Sequence, residues 1–331
     1  MSERLRSYPI SNDTGAVRPS STSRLMVRTP DGAESHGHHG NFGITVDLLL
    51  SRINALPVLT PTAVRALQLA DREMASAREI VALIETDVRF GPRVVKAANA
   101  PSNHLPRPVA SVNDAILLLG TTAVRDALVV AASRDIFFRP LEGYGLTAEE
   151  VWAHAVACAT ASEIVADLIG YSNRMEAFVA GLLHDVGKII LNDEMILATD
   201  QVREHIVREN CTYIDAERAV LGFDHCDVGA RAGRTWAVPQ HIVQAIALHR
   251  APVVLGQTVP LAGLVHLGEM LCSMAGIGIG FEGLNMTLDT RVLRDFKFTE
   301  EMGDIAIGRL IDKMASSNAL QTPPAEPAAM S

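Results

Sequence analysis

The sequence predicts an all-α fold, and three observations carry that expectation. Hydrophobic residues make up 48% of the 331 residues while aromatic residues make up only 5%, so Ala, Leu, Val and Ile must fill the interior. That palette suits closely packed helices better than a β-sandwich or barrel, which lean on aromatic and β-branched side chains. Helix start signals recur along the chain, each opening an apolar run. No stretch alternates convincingly between apolar and polar residues as a strand would, and no internal repeat of fixed period is present.

Taken in order, residues 1–43 are rich in Ser, Thr, Arg, Gly and Pro and end in HGHHGNFG. Without apolar periodicity they cannot offset their ordering entropy, so they read as a disordered tail. His36, His38 and His39 could pick up a metal ion adventitiously, but a solvated flexible segment is the simpler reading. The ordered chain is expected over 44–315. Thr60 before Pro61 is an N-cap with proline in the first turn. Ser76-Ala-Arg-Glu79 is a capping box leading into Ile80, Val81, Leu83 and Ile84. Ser111-Val-Asn-Asp114 opens the run Ala115–Leu119, which Gly120 closes, and Thr121–Ser133 reads as another helix. RPLEGYG at 139–145 breaks the pattern, dividing the ordered chain into an N-terminal helical half (44–142) and a second half (147–315). The second half opens with the capping box Thr147-Ala-Glu-Glu150, which starts a long helix to about Ile169. Further helices are expected near 173–184, 192–210, 213–221, 225–236, 239–249, 258–275 and 299–314, followed by a second disordered tail at 316–331.

The formal charge is −9, a balance that argues against broad non-specific nucleic-acid binding, which needs a positive field along the phosphates, and leaves room for a local basic patch. No clear recognition helix offsets this. Cys158, Cys211, Cys226 and Cys272 are scattered without a Cys-x-x-Cys pair, which points to a reducing cytoplasm rather than a disulfide framework. The N-terminus has no apolar secretory core. The most apolar stretch, Val253–Phe281, is broken by Pro260, His266 and Glu269, so it reads as a buried helix and not a membrane span.

Chemistry concentrates in the second half. In Ala180-Gly-Leu-Leu-His184-Asp185-Val-Gly-Lys188 an adjacent His–Asp pair follows an apolar helix. Imidazole and carboxylate together suit a divalent transition metal. Neighbours on a helix point about 100° apart, so a single ion needs further ligands from other helices. Candidates are His154, His225, His249 and Glu269, with Glu150 a further one on the face of His154. Lys188, one turn past Asp185, could hold a phosphate oxygen, and metal-bound water would attack a phosphoester.

Each residue also has a plainer reading. Glu150 is accounted for by the capping box, which is the favoured role. His184 and Asp185 could end a helix, with the carboxylate accepting backbone N–H groups. His225 could cap or line a helix start, and His249 could bond helix-end carbonyls. A buried Glu269 needs a partner, and His266 lies one turn before it. Arg93 and Lys96 read as solvated, Asn99 as a buried amide bonded to backbone, and Trp152 and Trp236 as core anchors.

The order His154, His184-Asp185, Glu269 resembles the HD superfamily of metal-dependent phosphohydrolases. More closely, the ordered chain resembles the HDOD domain, the HD-related output domain of bacterial signalling proteins. Leu56-Pro57 with Pro61, IETDVRFGPRVVKAANA, AILLLG with Arg125, GLLHDVGK and TWAVPQHIVQAIALH carry this resemblance, over roughly residues 44–280. It implies an N-terminal helical bundle joined to an HD-like half. It also implies a regulatory role in signal transduction, since HDOD proteins are generally regarded as non-catalytic relatives. The chain departs from the HD-GYP phosphodiesterases in three places: Glu269 stands where the last Asp is expected, Arg250 follows His249 where a second His is expected, and the Gly-Tyr-Pro loop is missing.

Two functions follow. One is a regulatory module that binds signalling protein partners with little or no turnover. Since no βα alternation precedes residue 44, its input would come from a separate partner or a small ligand. The other is a phosphohydrolase acting on a nucleotide or cyclic dinucleotide. There His154, His184, Asp185 and Glu269 would hold iron, manganese or zinc, His225 and His249 would complete a second site, and Asp185 and Lys188 would carry catalysis.

Overall fold

The computed structural model describes residues 51, 53, 65, 76–85, 90–99, 105–282 and 286–316. The 1–43 tail, residues 317–331 of the C-terminal tail and the Thr60–Pro61 helix start lie outside the described residues, while Ser316, expected in the tail, is helical. Within them, the all-α expectation holds, with a single two-stranded hairpin.

The N-terminal half contributes α1 (Ala77–Glu85), α2 (Phe90–Ala98) and α3 (Val112–Phe137). The expected capping box opens α1, where the Glu79 amide donates to Ser76 Oγ (3.2 Å) and the Ser76 amide to Glu79 Oε2 (3.0 Å). Ser111 caps α3 through the Asp114 amide. Gly120 sits inside α3 at φ 83°, ψ 170°, so the expected stop is a kink within one element. Asn99 behaves as expected, bonding both the amide and the carbonyl of Val109 at 2.8 Å. Arg93, expected in solvent, instead reaches across to α3 and pairs with Asp135 at 3.0 Å.

The expected seam is a short turn. Leu141 and Leu146 pair as an antiparallel bridge around a 3-10 turn at Glu142–Tyr144, with Gly145 at φ 69°. Beyond it come α4 (Ala148–Ile169), α5 (Arg174–Leu183), α6 (Val186–Glu209), α7 (Tyr213–Leu221), α8 (His225–Thr235) and α9 (Gln240–Leu248). The hairpin β1 (Val253–Val254) and β2 (Gln257–Thr258) follows, then α10 (Pro260–Met274), α11 (Thr290–Phe296) and α12 (Glu300–Ser316).

Helix α4 is the hub, packed between α5 and α10. Its buried face is mostly Ala, Cys, Ser and Thr, and small side chains let neighbouring backbones approach closely. A Cβ on Gly181 of α5 would stand 2.7 Å from Cys158 O, and one on Gly268 of α10 would stand 2.5 Å from Ser162 Oγ. These crossings bring the residues ahead of Cys158 on α4 against the end of α5. Helix α4 is also long and apolar enough to cross a membrane, but 72% of its apolar window is buried within the fold. Trp152 and Trp236 are core residues, 2% and 6% exposed.

Three boundaries differ from expectation. Helix α6 begins at Val186 rather than near 192, so Lys188 lies in its first turn. The stretch Val253–Phe281 is not one helix: a hairpin with Leu255 and Gly256 at φ 50° and 80° precedes α10, and a glycine-rich segment follows it. Helix α11 was not anticipated, because TRVLRDF is short and has only one buried residue, Val292.

Candidate metal centre

The turn between α5 and α6 creates the centre. His184 keeps helical dihedrals after the last residue of α5, while Asp185 (φ −96°, ψ 11°) occupies the N-cap of α6. Its carboxylate makes no capping hydrogen bond, so the helix-end reading of Asp185 fails. The carboxylate turns inward instead. His154 Nε2 and His184 Nε2 lie 3.5 and 3.3 Å from Asp185 Oδ2, and 3.3 Å from each other. Glu269 Oε1 from α10 is 3.9 Å from His184 Nε2. On the other carboxylate oxygen, Asp185 Oδ1, His225 Nε2 and His249 Nε2 converge at 3.8 and 3.9 Å. Six of the seven sequence-nominated metal candidates therefore come together, five of them around the Asp185 carboxylate. The seventh, Glu150, is exposed and closes the Thr147 capping box, as its favoured reading held.

Each imidazole is oriented from behind. His154 Nδ1 faces Ile277 O at 3.2 Å, His184 Nδ1 faces Gly181 O at 2.6 Å and His249 Nδ1 faces Ile246 O at 2.8 Å. His225 Nδ1 lies 2.7 Å from Glu217 Oε2, and Glu217 also accepts from the His225 amide and from Tyr144 Oη. An acceptor behind Nδ1 keeps the proton there and points Nε2 inward, the arrangement of metal-binding histidines. His266 is not the partner of Glu269. Its ring instead bridges His249 O (2.8 Å) and the Asp289 amide (3.1 Å).

The partner of Glu269 is Arg250, at 2.9 Å, and the same guanidinium pairs with Glu282. Lys188 Nζ lies 2.7 Å from both Asp185 Oδ2 and Glu282 Oε1. Two cations thus interleave with three carboxylates. Glu217 and Glu282 went unnoticed in the sequence. Glu217 carries a signal, because Tyr213, Ala216, Val220 and Leu221 form the buried stripe of α7 and Glu217 falls within it. Glu282 carries none, since it follows a glycine-rich loop and reaches the centre only through the tertiary fold.

Burial dominates the electrostatics. It lowers the His154 imidazole, and it lowers His249 well below its ordinary value with help from the charges on His184, His225 and Arg250. Burial is the largest influence and opposes charge on His184 and His225, but Asp185 and Cys158 around the first, and Glu217 and Cys226 around the second, together outweigh it, so both lie well above the ordinary imidazole range. Burial alone would raise Asp185, yet His184 and Lys188 hold it well below the usual carboxylate range. Glu282 is pushed down to about 2, as Arg250 and Lys188 overcome burial.

The donor set fits a divalent transition metal. Nitrogen and oxygen ligands at about 2.0–2.2 Å in a tetrahedral shell lie roughly 3.3–3.5 Å apart, and the His154, His184 and Asp185 donors are 3.3, 3.3 and 3.5 Å apart. Asp185 Oδ1, His225 Nε2 and Glu269 Oε2 are buried without a hydrogen-bond partner. With the imidazoles neutral, Asp185, Glu217, Glu269 and Glu282 exceed Lys188 and Arg250 by two formal negative charges. Imidazolium protons on His184 and His225 balance that excess, and so does a divalent ion that displaces them.

A strap crosses the centre. Ile277 holds His154, a Cβ on Gly278 would lie 2.4 Å from His154 Cβ, and the Phe281 amide donates to Tyr144 O at 2.8 Å. Gly276, Gly278 and Gly280 all adopt positive φ, and the strap ends at Glu282 between Lys188 and Arg250.

The fold is shared with solved structures. An HDOD domain protein of unknown function from Geobacter sulfurreducens matches with a TM-score of 0.64 at 24% identity, over 82% of this chain and 96% of that one. A protein from Marinobacter aquaeolei VT8, provisionally assigned to signal transduction, matches at 0.64 and 22%, over 83% of this chain and 65% of that longer one. A protein from Shewanella amazonensis SB2B, provisionally assigned as a metal-dependent phosphohydrolase, matches at 0.53 and 18%, over 81% and 96%. At these identities the likeness is one of fold. No curated protein matches the chain. The HDOD domain family matches residues 56–252, more than half of the chain and inclusive of His154, His184, Asp185, His225 and His249, and the chain therefore belongs to the HDOD family.

Proposed function

We propose that the protein is a bacterial signal-transduction module that acts by binding a signalling protein, with a metal ion as the structural core of its HD-like half and little or no turnover. His154, His184, Asp185 and Glu269 would hold the ion, and His225 and His249 would face a second position across Asp185. A metal supplies Lewis acidity when bound, but the surrounding residues favour its structural use.

One observation carries this reading: the centre is closed and its cations are already engaged. His184 is 0% exposed and Glu269 1%. A cavity of about 10 Å³ touches His154, Asp185 and Lys188 but is otherwise walled by Phe137, Leu141, Leu146, Val151 and Ala155, and it is far too small for a phosphoester. Lys188 and Arg250, the groups that would grip a phosphate, are held by Asp185, Glu269 and Glu282. The Marinobacter neighbour's assignment to signal transduction points the same way.

The phosphohydrolase reading draws support from a second cavity, of about 220 Å³, which reaches Arg250, Cys226 and Glu282 from the other side. A nucleotide or cyclic dinucleotide would have to enter there.

The deciding experiment measures metal by elemental mass spectrometry in untagged protein purified without chelator, followed by assays on phosphoesters and cyclic dinucleotides. The expected result is one to two equivalents of iron, manganese or zinc and no turnover. Turnover abolished by Asp185→Ala would replace this reading with the enzyme.

A further inference from the structure

Cys226 takes no part in the contacts that the His–Asp pair organises, yet it stands beside them. It is the second residue of α8, 1% exposed, with Sγ 3.6 and 3.7 Å from the two ring nitrogens of His249. One donor atom from each of His225, Cys226 and His249 lies within 4.8 Å of the other two. Both imidazoles are pre-set for ligation. The Nδ1–H of His225 donates to Glu217, that of His249 donates to Ile246 O, and His225 Nε2 is buried with no partner. Asp185 Oδ1, the carboxylate oxygen that faces both rings, is likewise unpartnered.

We propose that His225, Cys226 and His249 form a mixed imidazole–thiolate site for a thiophilic divalent ion such as Zn²⁺. This deepens the second position of the metal reading above and rests on it. The added element is sulfur. A centre built from nitrogen and oxygen alone leaves iron, manganese and zinc open, whereas a thiolate selects softer ions and disfavours Mg²⁺ and Mn²⁺. Ligation breaks the Cys226 S–H bond, forms a metal–sulfur bond and releases the proton to water. The 220 Å³ cavity supplies the route for ion and proton, since Cys226, Arg250, His266 and Glu282 line it.

Cobalt substitution tests this on the full chain, because a thiolate bound to Co²⁺ gives a sulfur-to-cobalt charge-transfer band that nitrogen and oxygen donors do not. Co²⁺-loaded wild type should show the band, Cys226→Ser should lose it while keeping the cobalt of the His154 site, and His154→Ala should retain it. Cys158→Ser is the control for the other buried thiol near His184 and should leave the band intact. Cobalt bound stoichiometrically without the band would overturn this site and leave the metal reading standing. No cobalt bound at all would overturn both. A band lost in Cys158→Ser and kept in Cys226→Ser would overturn the assignment to Cys226, and comparing Cys226→Ala with Cys226→Ser separates loss of the ligand from loss of fold.

Discussion

Gly187→Ala is the sharpest probe of how the centre is assembled. Helices α6 and α8 cross at Gly187, where a Cβ would stand 1.8 Å from His225 O, 2.7 Å from His225 C and 2.8 Å from the Gly229 amide nitrogen. All three are backbone atoms, so no side-chain rotation relieves the contact. Ordinary van der Waals contact begins at 3.4 Å, so α8 must retreat from α6 by about 1.6 Å. His225, already 3.8 Å from Asp185, then moves out of reach of a shared ion. Overpacking of this kind costs about 1–3 kcal/mol, occasionally more, and a backbone clash belongs at the upper end. Alanine's better helix propensity returns at most about 1 kcal/mol. A net loss of about 2 kcal/mol lowers the melting temperature by roughly 4–8 °C in a domain of this size. Differential scanning calorimetry reads that shift. Gly308→Ala is the control: Gly308 lies exposed on α12 with nothing within 4 Å of an added Cβ, so alanine there should stabilise by up to about 1 kcal/mol. A Gly187→Ala protein that melts at or above wild type, alongside a Gly308→Ala protein that behaves as stated, refutes the crossing geometry.

Other outcomes follow from the same contacts. His184→Ala and Asp185→Ala should each abolish metal binding at the His154 site and so lower the metal content below wild type, and wild-type content retained in both would sink the proposed ligand set. Arg250→Met strips Glu269 and Glu282 of a shared cation and should destabilise the fold by about 3–5 kcal/mol in urea unfolding. Adding Glu282→Gln should recover part of that loss, and a purely additive double mutant would show that the two are not coupled. The depressed Glu282 carboxyl makes stability pH-dependent in a defined window: its contribution is complete above the unfolded value of 4.5 and fades as pH falls toward about 2. The full difference is about 3 kcal/mol. Glu282→Gln should flatten the profile between pH 4.5 and 2, and an unchanged slope would remove Glu282 from the account.

Local signals in the chain were informative and long-range ones were not. Ser76, Ser111 and Thr147 announce helix starts because capping satisfies backbone groups within three residues, and all three cap as expected. Gly120 announces the kink through its backbone freedom alone. The His–Asp pair was visible because its members are adjacent, and His154, His225, His249 and Glu269 followed once further donors were sought. Arg250 was noticed as a departure from a family pattern, but its role was hidden. It depends on Glu269 and Glu282, 19 and 32 residues away, which only the packing of α10 and the following strap brings near. Helix α6 hid its first turn because Asp185 holds the N-cap position without capping, so the usual boundary signal is absent.

The strap over the centre has a consequence for how the protein can report its own state. Glycines at three alternate positions make that segment expensive to order, since glycine loses more backbone freedom on folding than any other residue. What keeps it closed is concentrated at its ends, in the Ile277 carbonyl on His154 and the Glu282 carboxylate between Lys188 and Arg250. Beside the Glu282 end, Phe281 is 39% exposed and lies under the guanidinium of Arg203, 4.2 Å from its ring centre. A change in the buried centre would therefore be transmitted to a ribbon that reaches the surface at Phe281. Amide exchange along residues 277–282 becomes a gauge of that interior.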